Sequence, residues 1–378
     1  MKKFFTLALM TVVAAFTASV AKAEISFSGY QEFYAESVDQ STAAGLDAAT
    51  QTDVSRNGLS NGRFTRIIAT ASTTLDSGIE VGTVFSIARD GSASGDTDTN
   101  IVAVNENSIN FSGGFGTIAL GNIFSNGTMM HNRGTTLIPT AEPDNGGIDN
   151  YLTAGGGSYG TTEEVGYALD GMKLRYASNV YEGFSFGISY EPCMGKNTSQ
   201  VSHYDCNAAS VTNYHDVIDT AIGWGGNFEG VDVSLTYGYV GGNTKIVNAT
   251  EYSDLENHTY SAKLAVAGAT LIYRQNNYGD SGLSKAVEND GDGEGSVWAV
   301  RYDMGNISLG YAHTESSVVA ADGESASTAE RDVFGVGYNL GGGVLIELAH
   351  GTKEETDGVD NLKDTEADVT LAKLSFGF

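Results

Sequence analysis

The chain has 378 residues, with 47 acidic against 20 basic side chains and a formal net charge of -27. That balance argues against nucleic acid and anionic lipid headgroups as electrostatic partners. A composition of 41% hydrophobic residues with 49 Gly and only 3 Pro is poor for a helical membrane protein and normal for strands joined by tight turns.

Residues 1–23 read as a secretory signal peptide. Lys2 and Lys3 precede an apolar run from Phe4 to Phe16, and Ala21-Lys22-Ala23 supplies a small-x-small cleavage pattern. The run is shorter than the roughly 20 residues that span a bilayer, which disfavours an anchor. The mature chain, 24–378, is expected to begin at Glu24 and carries 17 basic against 47 acidic residues once Lys2, Lys3 and Lys22 are removed, a net -30.

From Glu24 onward, period-two alternation recurs and helical periodicity is nearly absent. Sixteen strands are predicted, near 24–36, 62–75, 79–90, 101–112, 115–124, 172–178, 184–191 and 216–228, then 231–241, 257–267, 269–279, 296–304, 307–317, 330–340, 344–355 and 368–378. Phe184, Phe186, Ile188 and Tyr190 share one face, as do Trp298, Val300, Tyr302 and Met304. Leu374, Phe376 and Phe378 alternate with Lys373, Ser375 and Gly377 to the last residue.

Short and long connections strictly alternate. The short ones are 76–78, 113–114, 179–183, 229–230, Gly268, 305–306 and 341–343. The long ones are 37–61, 91–100, 125–171, 192–215, 242–256, 280–295, 318–329 and 356–367. Sequential antiparallel strands put all short turns at one end and all long loops at the other, the signature of an outer-membrane barrel. Lipid cannot satisfy backbone N–H and C=O groups, so such a sheet must close on itself, Phe378 pairing with the first strand. The three prolines, Pro139, Pro143 and Pro192, are all expected in loops.

Cys193 and Cys206 form the even pair of an exported protein, which reads as one disulfide; with only His203 between them, a zinc site has an incomplete ligand set. Other chemistry is weak. Ser158 in Gly-Gly-Ser-Tyr-Gly matches a nucleophile pattern without the helix that an elbow requires. The six histidines show no metal-ligand spacing, and Asp290, Asp292 and Glu294 mimic a calcium loop whose twelfth position is Arg301. No cofactor, catalytic residue or dedicated metal site is expected; weak Ca²⁺ binding among external loops stays an open alternative.

At Gly113–Asn122, "GGFGTIALGN", the sequence resembles the Gram-negative general-diffusion porins, as it does at 172–178, "MKLRYAS", and 181–190, "YEGFSFGISY". The resemblance implies an all-β, sixteen-stranded transmembrane barrel, a homotrimer in the outer membrane, with the third loop folded into the lumen as a constriction. That loop would be 125–171, whose "PDNGGID" loosely matches the family's loop tip but lacks its aromatic and inserts one residue before Asp149. Asn122 stands where many relatives have Arg. The terminal strand ending in Phe378 resembles the signal read by the barrel-assembly machinery.

The resemblance implies acids on the loop opposing bases on the wall. The loop supplies Glu142, Asp144 and Asp149, with Glu163 and Glu164 as secondary candidates and His131 and Arg133 as wall contacts. Parity turns Arg66, Lys173, Arg175, Lys263, Arg274, Arg301 and Lys373 inward, since a charge on the lipid face at mid-bilayer costs about 2–4 kcal/mol. Of these, Arg66, Arg175 and Lys373 match the family's basic wall, while Arg89 has outward parity. No aromatic track is expected along the lumen. The expected partners are outer-membrane lipid and the ions and small polar solutes that cross the pore, with a preference for cations. A surface receptor or adhesin with a narrow or plugged lumen is the alternative function.

Overall fold

The computed structural model describes residues 23–42, 56–91, 103–134, 137–140, 171–193, 214–244, 250–281, 285, 293–318, 327–356 and 365–378. Among them run β1 Glu24–Thr42, β2 Arg56–Thr74, β3 Glu80–Gly91, β4 Ala103–Gly113, β5 Gly116–Ile123, β6 Gly171–Ala177, β7 Phe184–Cys193 and β8 His215–Phe228. They continue as β9 Val231–Asn243, β10 Leu255–Val266, β11 Ala269–Gly279, β12 Gly293–Met304, β13 Ile307–Val318, β14 Ser327–Gly341, β15 Val344–Thr356 and β16 Thr365–Gly377. Each strand pairs with its chain neighbours, and β16 pairs antiparallel with β1 to close the barrel.

All sixteen predicted strands are present. β1 runs on to Thr42 and β2 starts at Arg56, beyond where the alternation signal ends, because their polar ends still pair as far as Gln40 and Arg56. Pro192 is a correction: it lies inside β7, where the ladder to β8 passes from Glu191–Val217 to Cys193–His215. The penultimate position of a strand tolerates a residue without an N–H.

The short turns have a local cause. Glu182–Gly183 (φ 48° and 85°), Glu229–Gly230 (50° and 91°) and Ala267–Gly268 (47° and 85°) carry positive φ at both central residues. That is the two-residue hairpin turn whose twist matches the flanking strands. Ala267, not Gly268 alone, therefore completes the turn after β10.

Parity divides the sheet into two faces. Ile188, Ile222, Leu235, Leu271, Val300, Leu309, Phe334, Ile346, Leu374 and Phe376 are exposed on the outside, while their alternates Ser189, Ala221, Thr236, Ile272, Ala299, Ala312, Val333, Glu347 and Lys373 are buried on the inside. No helix among the described residues is long and apolar enough to cross a membrane.

At one end of the closing β1–β16 ladder the last residue adds further bonds. Gly29 N–H donates to Phe378 O and Phe378 N–H donates to Gly29 O, both at 2.9 Å, while Gly377 N–H donates to Gly343 O at 2.9 Å. Deleting residues 377 and 378 should leave these partners unsatisfied, at about 1–3 kcal/mol each. The expected outcome is a lower urea midpoint and a smaller compact fraction in unheated detergent gels; an unchanged midpoint would show that closure does not depend on these bonds.

Candidate inner-wall site

The segment that leaves β5 is described over residues 124–134 and 137–140. Ser125 caps the short helix α1, Asn126–Met130, its Oγ accepting from Thr128 N–H at 3.2 Å. Asp219 of β8 supplies a second cap: its two carboxylate oxygens accept from Gly127 N–H at 3.0 and 3.1 Å, and Oδ1 also accepts from Ser189 Oγ at 3.2 Å. A carboxylate buried beside a helix start is matched by backbone donors and by the helix dipole.

From there the contacts pass from strand to strand on the inward parity. Arg175 of β6 donates to Phe124 O at 3.0 Å, and Asn126 Nδ2 donates to Tyr176 O at 2.9 Å. His131 Nδ1 shares a hydrogen bond with Thr236 Oγ1 of β9 at 2.6 Å. Asn132 N–H donates to Ser261 Oγ of β10 at 3.1 Å, and its Nδ2 donates to Ser234 Oγ at 3.3 Å. Arg301 of β12 donates to Leu137 O at 3.2 Å. Arg175 and Arg301 thus hold carbonyls near the two ends of the described stretch.

Small residues on the wall make room for it. A Cβ at Gly187 would collide with Asn126, one at Gly238 with His131, and one at Gly134 of the segment itself with Val297 of β12. At Gly310 a Cβ would lie 2.9 Å from Ile138 Cδ1, and at Gly335 2.6 Å from Pro139 O. Glycine inside a strand marks close backbone approach. These inward glycines, together with Asp219, were missed from sequence, although their parity was the available signal.

The candidate wall cations occupy different settings. Lys373 Nζ lies 2.8 Å from Glu347 and 3.4 Å from Glu32, all three nearly buried across β15, β16 and β1. Lys173 pairs with Glu191 at 2.9 Å, also buried. Arg66 lies over the Phe64 ring, 6.0 Å from its centroid. Arg274 is buried beside Asn276, and Arg301 also meets Asp303 at 2.9 Å. The acids Glu142, Asp144, Asp149, Glu163 and Glu164 lie outside the described residues, as do Ser158, Asp290, Asp292 and Cys206. Cys193 is buried and disulfide-bonded. Asn122 is buried in β5, and among the described residues no group of three His, Cys, Asp or Glu converges on a metal position.

On the inner wall Tyr30 and Phe64 stack at 5.6 Å; Phe64 belongs to a buried apolar cluster with Tyr34, Val38, Val369, Leu371 and Ile138, and Tyr30 packs against it. Tyr30 and Tyr34 share parity with Glu32 in β1, but a strand with inward apolar residues gives no clean polar-in, apolar-out pattern to read.

His131 is 5% exposed, and its Nε2 has no hydrogen-bond partner among the described residues. Burial first, and then the Arg274 guanidinium, push its pKa down to about 3, so the docked imidazole is neutral.

Two outcomes follow from this geometry. Gly335→Leu should displace Ile138–Pro139 and open residues 125–140 to limited proteolysis while the barrel stays folded; unchanged cleavage would show that the groove does not seat the segment. Lys373→Met should leave Glu32 and Glu347 without their shared cation, costing about 3–5 kcal/mol in urea-unfolding stability. A loss below about 1 kcal/mol would place the trio in the range of solvated surface pairs.

A family model described as Gram-negative porin matches residues 8–358. No curated protein matches the sequence. Among solved structures, the trimer form of in-vitro folded OmpT, an outer membrane protein of Vibrio cholerae, is similar at TM-score 0.61 and 12% identity, over 94% of this chain and 99% of that one. The outer membrane channel DcaP of Acinetobacter baumannii gives TM-score 0.63 at 13% identity, over 95% and 99%. An anion-selective porin from Comamonas acidovorans gives 0.60 at 15% identity, over 94% and 100%. At these identities the structures speak for the fold alone, and the family follows from the match along the sequence. The chain belongs to the Gram-negative porins and is an outer-membrane β-barrel channel.

Proposed function

We propose that this channel passes ions and small hydrophilic solutes by passive diffusion, without catalysis, and prefers cations. The carrying observation is the inner wall: charged and hydroxylic side chains of β6–β12 face a chain segment that lies along them. We infer that the rest of 125–171 continues into the lumen and brings Glu142, Asp144 and Asp149 to the narrow point. Conduction needs such sites to be weak enough to release the solute.

Cation preference draws support from two directions. The chain is acidic, at -27 overall. Two expected wall cations are also already matched locally, Lys373 by Glu32 and Glu347 and Lys173 by Glu191, which lowers the positive field they offer a passing ion. Local matching counts because physiological salt screens unshielded charge within about 8–10 Å. The trimer form of one similar structure makes a homotrimer the assembly we propose.

The buried apolar wall around Val333, Val369 and Leu371 favours a second reading, a lumen too narrow to conduct on a barrel that displays its outer loops. Single-channel recording in a planar bilayer under a salt gradient separates the two. Large steps in groups of three, with a reversal potential on the cation side, are the expected result. Anion preference would keep the channel and remove the acidic constriction; folded protein without conductance would leave the display reading.

A further inference from the structure

We propose that the start of β1, Glu24–Ser28, is a docking edge for an extended, basic segment of a periplasmic protein, which adds to the sheet as a further strand beside β1. The inference concerns the rim of the barrel and holds whatever the channel passes.

The observation is a step in the closing seam. β1 pairs with β2 from Glu24, opposite Ser72, but it meets the end of β16 only at Gly29 and Tyr30, opposite Phe378 and Gly377. Glu24–Ser28, about 16 Å of strand, therefore has a neighbour on one side only among the described residues. Gly29 exchanges both of its backbone hydrogen bonds with Phe378. In the antiparallel alternation the N–H and C=O groups of Phe27 and Ile25 point the same way, into the lane beyond the end of β16. Those of Ser28, Ser26 and Glu24 face β2 instead.

An open row of ladder groups is a template for another chain, and native sheets blunt such edges with lysine, proline, a bulge or a covering loop. Glu-Ile-Ser-Phe-Ser contains neither lysine nor proline, and the register to β2 runs unbroken from Glu24 to Gln40. Ile25 and Phe27 are 64% and 72% exposed, so nothing covers them.

The chemistry of the edge selects its occupant. Ile25 and Phe27 lie on the outer face, with the exposed Phe378 ring at the head of the lane, and Ser26 and Ser28 lie exposed on the inner face. A strand laid beside them sets every second side chain against the apolar pair and the others against the serines. The rim supplies the charge preference. The end of an outer-membrane barrel that carries the short turns faces the periplasm. Those turns hold Asp76, Glu182 and Glu229 and no lysine or arginine, and Glu24, Glu80 and Asp232 stand at the adjoining strand starts. A segment in which basic and apolar residues alternate matches both the pattern and the field. A second copy of this chain would bring the same acids to the same edge, and the two would repel.

The test is fluorescence anisotropy of a dye-labelled peptide of alternating lysine and valine, titrated with the full barrel purified from the outer membrane in detergent. Saturable binding is expected. Phe27→Pro removes the N–H aimed into the lane and leaves the bonds to β2, so it should weaken binding about tenfold. The same peptide N-methylated at every residue, which cannot join a ladder, should lose binding to the parent barrel, and a peptide of alternating glutamate and valine should not bind. A compact band in unheated gels reports whether Phe27→Pro folds; if it does not, the methylated peptide on the parent barrel decides. Absence of saturable binding to the parent barrel would overturn the inference. So would equal binding by folded Phe27→Pro, by the methylated peptide or by the glutamate peptide, since each would place the contact away from the edge or outside its charge preference.

Discussion

Everything in this molecule depends on the rule that a backbone amide in hydrocarbon must find its partner within the protein. The ladder between β1 and β16, sealed by Gly29 and Phe378, satisfies that rule at the one point where chain order does not bring strands together. Once the sheet is closed, the outer face must be apolar and the inner face is free to carry charge. Lys173, Glu191, Asp219, Arg274 and Lys373 can exist in the membrane only because closure puts them inside.

The inner wall uses that freedom in two ways. One part is polar and specific: Asp219, Thr236, Ser261 and Arg301 each meet a defined group of the segment that leaves β5. Another part is apolar and closely fitted, with Ile138 and Pro139 against the glycines of β13 and β14. Polar links of this kind support one another, because each partner fixes the geometry of the next.

The wall cations show why a residue's face and its role are separate questions. Arg66, Arg175 and Lys373 share the inward face, yet Arg175 holds the carbonyl of Phe124, Lys373 sits between two glutamates, and Arg66 lies over an aromatic ring. A cation spent on a neighbouring carboxylate gives a passing ion little field, so net charge counted along a strand overstates what the lumen offers.

The sequence by itself determined the sixteen strands, the two faces, the ends that carry turns and the closing role of Phe378. Each of these follows from a periodic rule that lipid imposes on every strand, and such a rule is legible one residue at a time. Two polar strand ends and Pro192 escaped it, because beyond the bilayer the ladder continues without the apolar alternation. Only the tertiary structure decided that Asp219 caps a helix some ninety residues earlier, that Lys373 lies between Glu32 and Glu347, and that Gly238 and Gly335 are spaces for His131 and Pro139. These contacts join strands far apart in the chain, where no local pattern records the partner; they exist only once the sheet has closed and brought its inner face around the segment.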